Sequence, residues 1–548
     1  MNIDVLVIGG GSAGCVVASR LSEDPRLNVV LVEAGLDEES DVIRSGRFLT
    51  YGSPRFLWTN LSDERGPFAQ PKVLGGGSAV NAMHFQRGSP ADYKEWTRFG
   101  VEGWSYSELL PFFAKIEQEF EFTEGHGRSG PIPVTRIPQN QWSGLSKALS
   151  KVFPKLGLKK IDDINVDFAD GFGPVPLNMK NNERVSAAKG YLSPDVRRRK
   201  NLRIVSESAA VRLLVSGTRV TGAEFSSANG ATTISAGETI VCCGGVYSPA
   251  LLLRSGIGSA KTLTEHGIKV VADRPGVGAN LQNHPMLFVG VHLRSGGRQP
   301  SGAVHPCPVL ARYSSRAPGC PPSDMLLNIW ERVPGRLAWD PTGEQFAILN
   351  VIVNKVFSRG HVVLDPAQPM GQPKVQFNFL SEPRDLERMI GSFDFLTALL
   401  DDPAVKEVMF DAFAPVWTPL AITMMGDGAK AQLLSMFGSI ALRGSLSVRR
   451  RLLGGMGPSL ATIRSWSKED IQKFVKTYML PSYHVSGTCR LGAVDDPDAV
   501  VDASGRVIGV DCLRVVDASI FPTLMAAGCN LPVMMAAEKI SAAFRASV

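Results

Sequence analysis

The 548-residue sequence predicts two architectures in one chain. One is an α/β domain with a parallel sheet and a dinucleotide site. The other is an α+β domain built on an antiparallel sheet. Three observations predict them. A short β-branched run, residues 3–8, leads straight into Gly9-Gly10-Gly11-Ser12-Ala13-Gly14. An acid, Glu33, ends a second such run nineteen residues later, the spacing of a Rossmann-like βαβ unit. Residues 286–380 mix strand-like runs with Pro-rich loops, which reads as a separate antiparallel region.

The elements follow in order. After the first strand the glycines have distinct tasks: Gly9 allows the tight turn, Gly11 lets the backbone approach a pyrophosphate, and Gly14 lets helix and strand pack closely. Ser12 and Ala13 open a helix that continues over 15–21, and its free N–H groups suit phosphates. The second strand, 28–32, ends at Glu33-Ala34-Gly35. Glu33 is placed to accept hydrogen bonds from an adenosine ribose, and an acid there argues against NADP. Residues 36–70 are loop-rich, 71–95 hold a second Gly-rich segment, 103–120 read as a helix, and 121–140 read as loop. Residues 201–205, 210–215, 219–225 and 231–235 alternate like short strands, and 238–243 form another ending at Gly244-Gly245. A helix begins at Ser248 and stops at Ser255-Gly256-Ile257-Gly258. Residues 384–402 and 467–479 read as helices.

Bulk properties narrow the function. The net charge of +6 is too small and diffuse to argue for nucleic acid. No apolar run is long enough to span a bilayer. Residue 3 already begins the nucleotide-binding strand, so no signal peptide is visible and the cytoplasm is expected. The eight cysteines show neither zinc spacing nor CxxC; they read as small buried apolar residues, and no metal site is expected. Residues 421–465 carry Lys430, Arg443, Arg449, Arg450, Arg451 and Arg464 against one acid, Asp427. This is read as a solvated surface, with a lid or anionic-surface contact as the alternative.

Four ordered segments together resemble the glucose–methanol–choline (GMC) oxidoreductases, from residue 3 to residue 545. They are the N-terminal βαβ with Glu33; Lys72-Val73-Leu74-Gly75-Gly76-Gly77-Ser78-Ala79-Val80-Asn81; Ser248-Pro249 through Gly258 with Gly276-Val277-Gly278-Ala279-Asn280-Leu281-Gln282; and Tyr483-His484-Val485-Ser486-Gly487-Thr488-Cys489-Arg490 with Val516-Asp517-Ala518-Ser519 and Asn530-Leu531-Pro532. The pattern is most similar to bacterial members that oxidise hydroxymethylfurfural and aryl-type primary alcohols.

The resemblance implies FAD as cofactor, in an FAD-binding domain of GMC type. Gly76 and Gly77 would lie against the flavin or pyrophosphate, together with Val73. Asn81 would sit near the flavin, with Met83 and His84 following along the ring. The Ala210 backbone would hold the adenine, and Cys243, Gly244 and Ser248 would belong to the same nucleotide cradle. Asp517 and Ala518 would meet the ribityl chain and flavin edge. Asn530 and Pro532 would stand beside the pyrimidine end, at a helix N-terminus that favours negative charge on reduced flavin. Some relatives attach FAD through a histidine at the position of Val80; valine cannot, so non-covalent FAD is implied.

Within the resemblance His484 is the catalytic base, because alcohol oxidation needs a hydroxyl proton removed while hydride leaves for flavin N5. His284 follows the GVGANLQN segment, where relatives have Asp at the place of Asn283. His126, His266, His292, His305 and His361 carry no motif and read as structural or exposed. Relatives carry a second His or Asn forty-four residues after the base, which here is Gly528. A water, Ser486 or Cys529 is left to replace it; otherwise the enzyme is slow or takes an unusually large substrate. Tyr483 and Gly528 are assigned to the substrate pocket.

These readings combine into an FAD-binding domain formed by residues 1–285 and 481–548, and a substrate domain formed by 286–480. Some segments of the first range contribute to the second domain, and residues 348–355 and Tyr483 face the flavin. The expected reaction converts a primary aryl or furanic alcohol to an aldehyde, with O₂ or a quinone-type acceptor. An FAD-containing hydroxynitrile lyase and a non-redox flavoprotein are the alternatives.

Overall fold

The computed structural model describes residues 3–50, 53–333, 341–416, 433–434, 437–438, 440–441 and 455–547. Val5–Ile8 lies in the middle of a five-stranded parallel sheet, ordered Leu202–Val205, Val29–Val32, Val5–Ile8, Glu238–Val241 and Leu513–Val515. Val5 lies opposite Val29 on one side and Glu238 on the other. The two strands VLVI and VVLV are buried at every position, as expected for a parallel sheet covered on both faces. The helix Ser12–Leu21 follows the glycine turn and packs against the C-terminal helix Asn530–Ala546. Arg20 Nη2 reaches Glu538 Oε1 at 2.8 Å across that contact. Residues from both ends of the chain therefore build one nucleotide domain. A three-stranded antiparallel meander, Ala209–Ser216, Arg219–Ser227 and Gly230–Ser235, adjoins it.

The second sheet has eight strands. Pro285–Leu293, Phe346–Val353, Met325–Trp330 and Val309–Tyr313 are successive antiparallel neighbours. Every residue in these four strands is buried. Period-two alternation divides them between two faces. Leu287, Val289, Leu349 and Val351 join the main core, against which the helix Pro383–Leu400 packs. Met286, Phe288, Asn328, Trp330, Ile348, Asn350 and Ile352 turn to the opposite face and line a cavity. Leu480–Pro481 pairs with the start of the first of these strands, Pro285 opposite Pro481, so residues 482–484 emerge at that edge of the sheet.

Two local differences from the sequence reading have clear causes. The helix expected over 103–120 spans Tyr106–Ile116, because Glu117–Glu119 pairs in parallel with Ile132–Val134, inside the stretch read as loop. Buried ion pairs reward that pairing: Glu117 with Arg87 at 2.5 Å and Glu119 with Arg136 at 2.8 Å. Gly171–Pro174 joins the eight-stranded sheet beside Val309–Tyr313, although it lies in the N-terminal range.

Cys15, Cys242, Cys307 and Cys489 are buried, whereas Cys243, Cys320, Cys512 and Cys529 are partly exposed. In the basic stretch, Lys430, Arg443, Arg449, Arg450 and Arg451 lie outside the described residues. Arg464 pairs with Asp401 at 3.1 Å. Among the described residues no helix is long and apolar enough to cross a membrane.

Candidate active site

A cavity of about 940 Å³ runs from the glycine turn, past the Gly-rich segment around Gly76, to the pocket-facing side of the large sheet. Its nucleotide end is a cradle of backbone. A Cβ on Gly11 would come no closer to the protein than 3.9 Å, and one on Gly77 or Gly244 would meet nothing within 4 Å. All three line the cavity, so their missing side chains leave room for a ligand lying on the backbone. Gly14 works inward instead: its Cβ would strike Gly9 O at 1.9 Å.

Carboxylates brace this cradle. Glu33 accepts from Gly10 N and Gly35 N, each at 2.7 Å, and burial raises its pKa against those bonds. Asp517 accepts from Gly244 N at 2.8 Å, Ser519 N at 2.7 Å and Ser248 Oγ at 2.5 Å; its pKa is likewise raised by burial. Asn81 Oδ1 accepts from Met83 N at 2.9 Å and from Arg184 Nη1 at 2.8 Å. Arg184 is buried, which brings its guanidinium down to about 9, and it also holds Ser78 O and Ile43 O. Ser12 Oγ donates to Asn530 Oδ1 at 3.0 Å, leaving Asn530 Nδ2 buried without a partner at the cavity wall. A buried acid at the end of the second strand, an open glycine cradle, a helix N-terminus and an unpaired amide donor fit FAD.

At the sheet end stands a pair of histidines. Nδ1 of His484 lies 2.8 Å from Nδ1 of His284, whose Nε2 is 3.1 Å from Met525 O. A carbonyl only accepts, so His284 carries its proton on Nε2, and its Nδ1 is an acceptor. His484 must then donate from Nδ1, also toward Ser482 Oγ at 3.1 Å. Ser482 Oγ in turn donates to Asn283 Oδ1 at 3.1 Å, which also accepts from His484 N at 2.9 Å. The arrangement leaves Nε2 of His484 unprotonated. Burial lowers the His484 pKa to about 4 and that of His284 well below its ordinary value, so both are neutral at pH 7. Such an imidazole can accept a proton at Nε2.

Gly528 faces this atom. A Cβ there would lie 3.5 Å from His484 Nε2, an ordinary contact, and Gly528 is not among the residues with positive φ. Cys529 Sγ is 3.7 Å from His484 O, and burial takes its thiol up to about 12. Tyr483 is half-exposed with φ +65°, and its ring stacks on Phe68 with centroids 5.5 Å apart. His84 is neutral, brought down to about 3 by burial. Its ring stacks near Trp330 with centroids 6.0 Å apart.

The cavity brings together His484, Tyr483 and Gly528 with Gly9, Gly11, Ser12, Ala13, Glu33, Ala34, Val73, Gly76, Gly77, Asn81, His84, Ala210, Cys243, Gly244, Asp517, Ala518 and Asn530. It does not bring Gly14, Met83, Ser248 or Pro532 to its lining. Gly14 packs helix on strand, and Ser248 acts on Asp517. Met83 is buried behind Asn81, held at φ +60°; Pro532 is buried within the first turn of the C-terminal helix. Two residues escaped the sequence reading. His284 was visible only as the histidine after Asn283, and Arg184 carried no signal. His126 is neither exposed nor isolated, lying 2.8 Å from Glu117 and 2.6 Å from Asp163.

Residues 3–286 match the profile of the N-terminal GMC oxidoreductase domain, and residues 356–537 that of the C-terminal GMC oxidoreductase domain. The chain is 35% identical to 5-(hydroxymethyl)furfural oxidase of Methylovorus sp. (strain MP688), covering 98% of both proteins. It is 32% identical to oxygen-dependent choline dehydrogenase of Brucella anthropi, covering 99% of this chain and 95% of that one. The fold is similar to the crystal structure of pyridoxine 4-oxidase from Mesorbium loti, with TM-score 0.81, 26% identity and coverage of 100% and 99%. Two matching domain profiles and full-length relatives above 30% identity establish that the chain belongs to the GMC oxidoreductase family.

Proposed function

We propose that this chain oxidises an uncharged primary alcohol of aryl or furanic type to the aldehyde, with non-covalently bound FAD and His484 as base. The observation that carries the reading is the tautomer of His484. Its Nδ1–H is committed to His284, and its free Nε2 stands at the wall of a cavity that fits FAD. FAD supplies the two-electron acceptor that takes the hydride. His484 Nε2 takes the hydroxyl proton, and the imidazolium so formed keeps its Nδ1–H on His284, which Met525 O holds in turn. Such positioned proton transfer contributes roughly 10²–10⁴-fold.

The walls support the substrate class. Among the described residues the charged side chains on the cavity lining, His aside, are Glu33, Asp517 and Arg254. Both acids belong to the nucleotide cradle, and Arg254 lies at the end of the helix Gly244–Arg254. The sheet face offers Met286, Phe288, Trp330, Ile348 and Ile352, and Phe48 packs on Trp330 with centroids 5.5 Å apart. An apolar, aromatic wall suits a flat neutral ring, and among the described residues it provides no anion for a quaternary ammonium group. An anaerobic screen of alcohols, followed by flavin bleaching, tests the reading. Bleaching by benzylic or furanic alcohols is expected, and failure of every alcohol to bleach the flavin would refute it. Peroxide detection in air then separates O₂ from a quinone-type acceptor.

A further inference from the structure

Four buried polar atoms without partners cluster on one part of the cavity wall. They are Asn328 Oδ1, Asn350 Oδ1, Trp330 Nε1 and His84 Nε2. Asn328, Asn350 and Trp330 are each less than 10% exposed. Leaving a polar atom buried and unpaired is costly, and an all-apolar wall would avoid that cost.

Register explains the cluster. Asn328 lies opposite Asn350, and Asn350 opposite Phe288, in one row across the sheet. Trp330 belongs to the next row, opposite Ile348. On the other side of the amide row Met286 lies opposite Ile352, and Met286 pairs with Leu480, four residues before His484. The amide pair is thus one same-face repeat, roughly 7 Å, further along the sheet than the Met286 row, and two repeats beyond His284, the residue just before this strand that touches His484.

We propose that Asn328, Asn350 and Trp330 form a distal subsite that recognises a second, uncharged hydrogen-bonding group, a hydroxyl or carbonyl, across the ring from the carbinol carbon. The inference rests on the alcohol-oxidation reading above and adds a recognition element to it. The two side-chain amides offer donors and acceptors, and the indole N–H a further donor. With no charge among them, they match a neutral group rather than a carboxylate or an ammonium. A site built around hydrogen-bonding groups discriminates against the analogue that lacks the matching group, because its own polar atoms stay unpaired.

The test uses the FAD-loaded enzyme and its Asn328→Leu, Asn350→Leu and Trp330→Phe variants. Wild type and variants are compared with 1,4-benzenedimethanol and with 4-methylbenzyl alcohol, which lacks the second hydroxyl. Each Asn variant is expected to lower kcat/KM about tenfold or more for the diol and less than threefold for the methyl analogue. Trp330→Phe should act in the same direction with a smaller loss. Calorimetric binding of 4-hydroxybenzamide against 4-methylbenzamide gives a readout independent of turnover. Wild type should bind the hydroxy compound about tenfold tighter, and the Asn variants should lose that preference. Melting temperature and FAD content should hold or rise in the Leu variants, since an unpaired buried amide is removed. Equal losses on both alcohols, no loss on either, or a fall in melting temperature would overturn the subsite. If neither alcohol is oxidised while the Asn-dependent binding preference persists, the alcohol-oxidation reading falls and the subsite stands.

Discussion

Replacing His284 probes the histidine pair directly. In the resting site His484 donates Nδ1–H across 2.8 Å to His284. When Nε2 takes a proton, that bond becomes charge-assisted, because its donor is now an imidazolium. Hydrogen bonds to charged groups contribute about 1.5–3 kcal/mol. At about 1.36 kcal/mol per tenfold in rate, His284→Leu should slow anaerobic flavin reduction about 10- to 150-fold. FAD content should be unchanged, because His284 is not on the cavity lining. His284→Asn should restore most of the rate: its carbonyl can accept from His484 and its amide can donate to Met525 O. Stopped-flow bleaching with a saturating alcohol reads the effect. A well-folded, FAD-replete His284→Leu that reduces within twofold of wild type would refute the assigned tautomer. So would an Asn variant as slow as the Leu variant while equally well folded.

His484→Ala should retain FAD and lose about 10²-fold or more in flavin reduction; retention of half the wild-type rate would remove His484 from the mechanism. Because burial holds the His484 pKa to about 4, kcat/KM should stay level from neutral pH downward and fall only as pH drops through about 4, whereas a fall centred on 6.5 would contradict this. His126 behaves oppositely: burial pushes it down, but hydrogen bonds to Asp163 and Glu117 prevail and raise its pKa to about 9. A raised folded-state pKa gives stability that is complete below about 6.5 and lost as pH rises through 9; denaturant unfolding between pH 6 and 10 should show that decline, and His126→Gln should flatten it. Acid precipitation should release all FAD and leave colourless protein, and a flavinylated peptide would contradict the assignment of Val80. Gly528→Asn should fold and bind FAD, since its Cβ has an ordinary 3.5 Å contact and no positive φ, and should speed oxidation of small alcohols; identical kinetics with small and large alcohols would show that position 528 does not face the reacting atoms.

The nucleotide half was legible because its signals are local. Gly9 to Gly14 and Glu33 act within one βαβ unit, and the backbone they shape depends on little else. The His484 motif is likewise contiguous in sequence, and the structure puts Tyr483, His484 and Val485 on the cavity lining, with Asn530 but not Pro532 of the NxP element. What stayed hidden depends on long-range pairing. His284 meets His484 across 200 residues of chain, and Arg184 reaches Asn81 across 103. Glu117–Glu119 becomes a strand only because Ile132–Val134 lies beside it, with Arg87, Arg136 and His126 paired to its acids. Nothing in the sequence singles out Asn328 and Asn350; register puts them side by side on the cavity face.

Gly528 and the amide pair point to one division of labour. Where the family resemblance implies a second polar side chain beside His484, Gly528 presents only hydrogen atoms, and the neighbouring Cys529 thiol stays protonated. On the proposed function the substrate oxygen is then held at one point, His484 Nε2. One hydrogen bond leaves the carbinol carbon free to swing, which is costly for hydride transfer, since a misplacement near 1 Å can cost about 10²-fold. A second anchor restores the geometry wherever along the substrate it is placed. On the subsite proposal Asn328 and Asn350 supply it further along the sheet, on two strands in which every residue is buried. Fixing both ends of a flat molecule sets its angle as firmly as two contacts at one end. It also makes turnover depend on the distal group. Adding Gly528→Asn to Asn350→Leu should therefore recover small, singly substituted alcohols far better than the diol, because the two anchors act on the same freedom of the substrate.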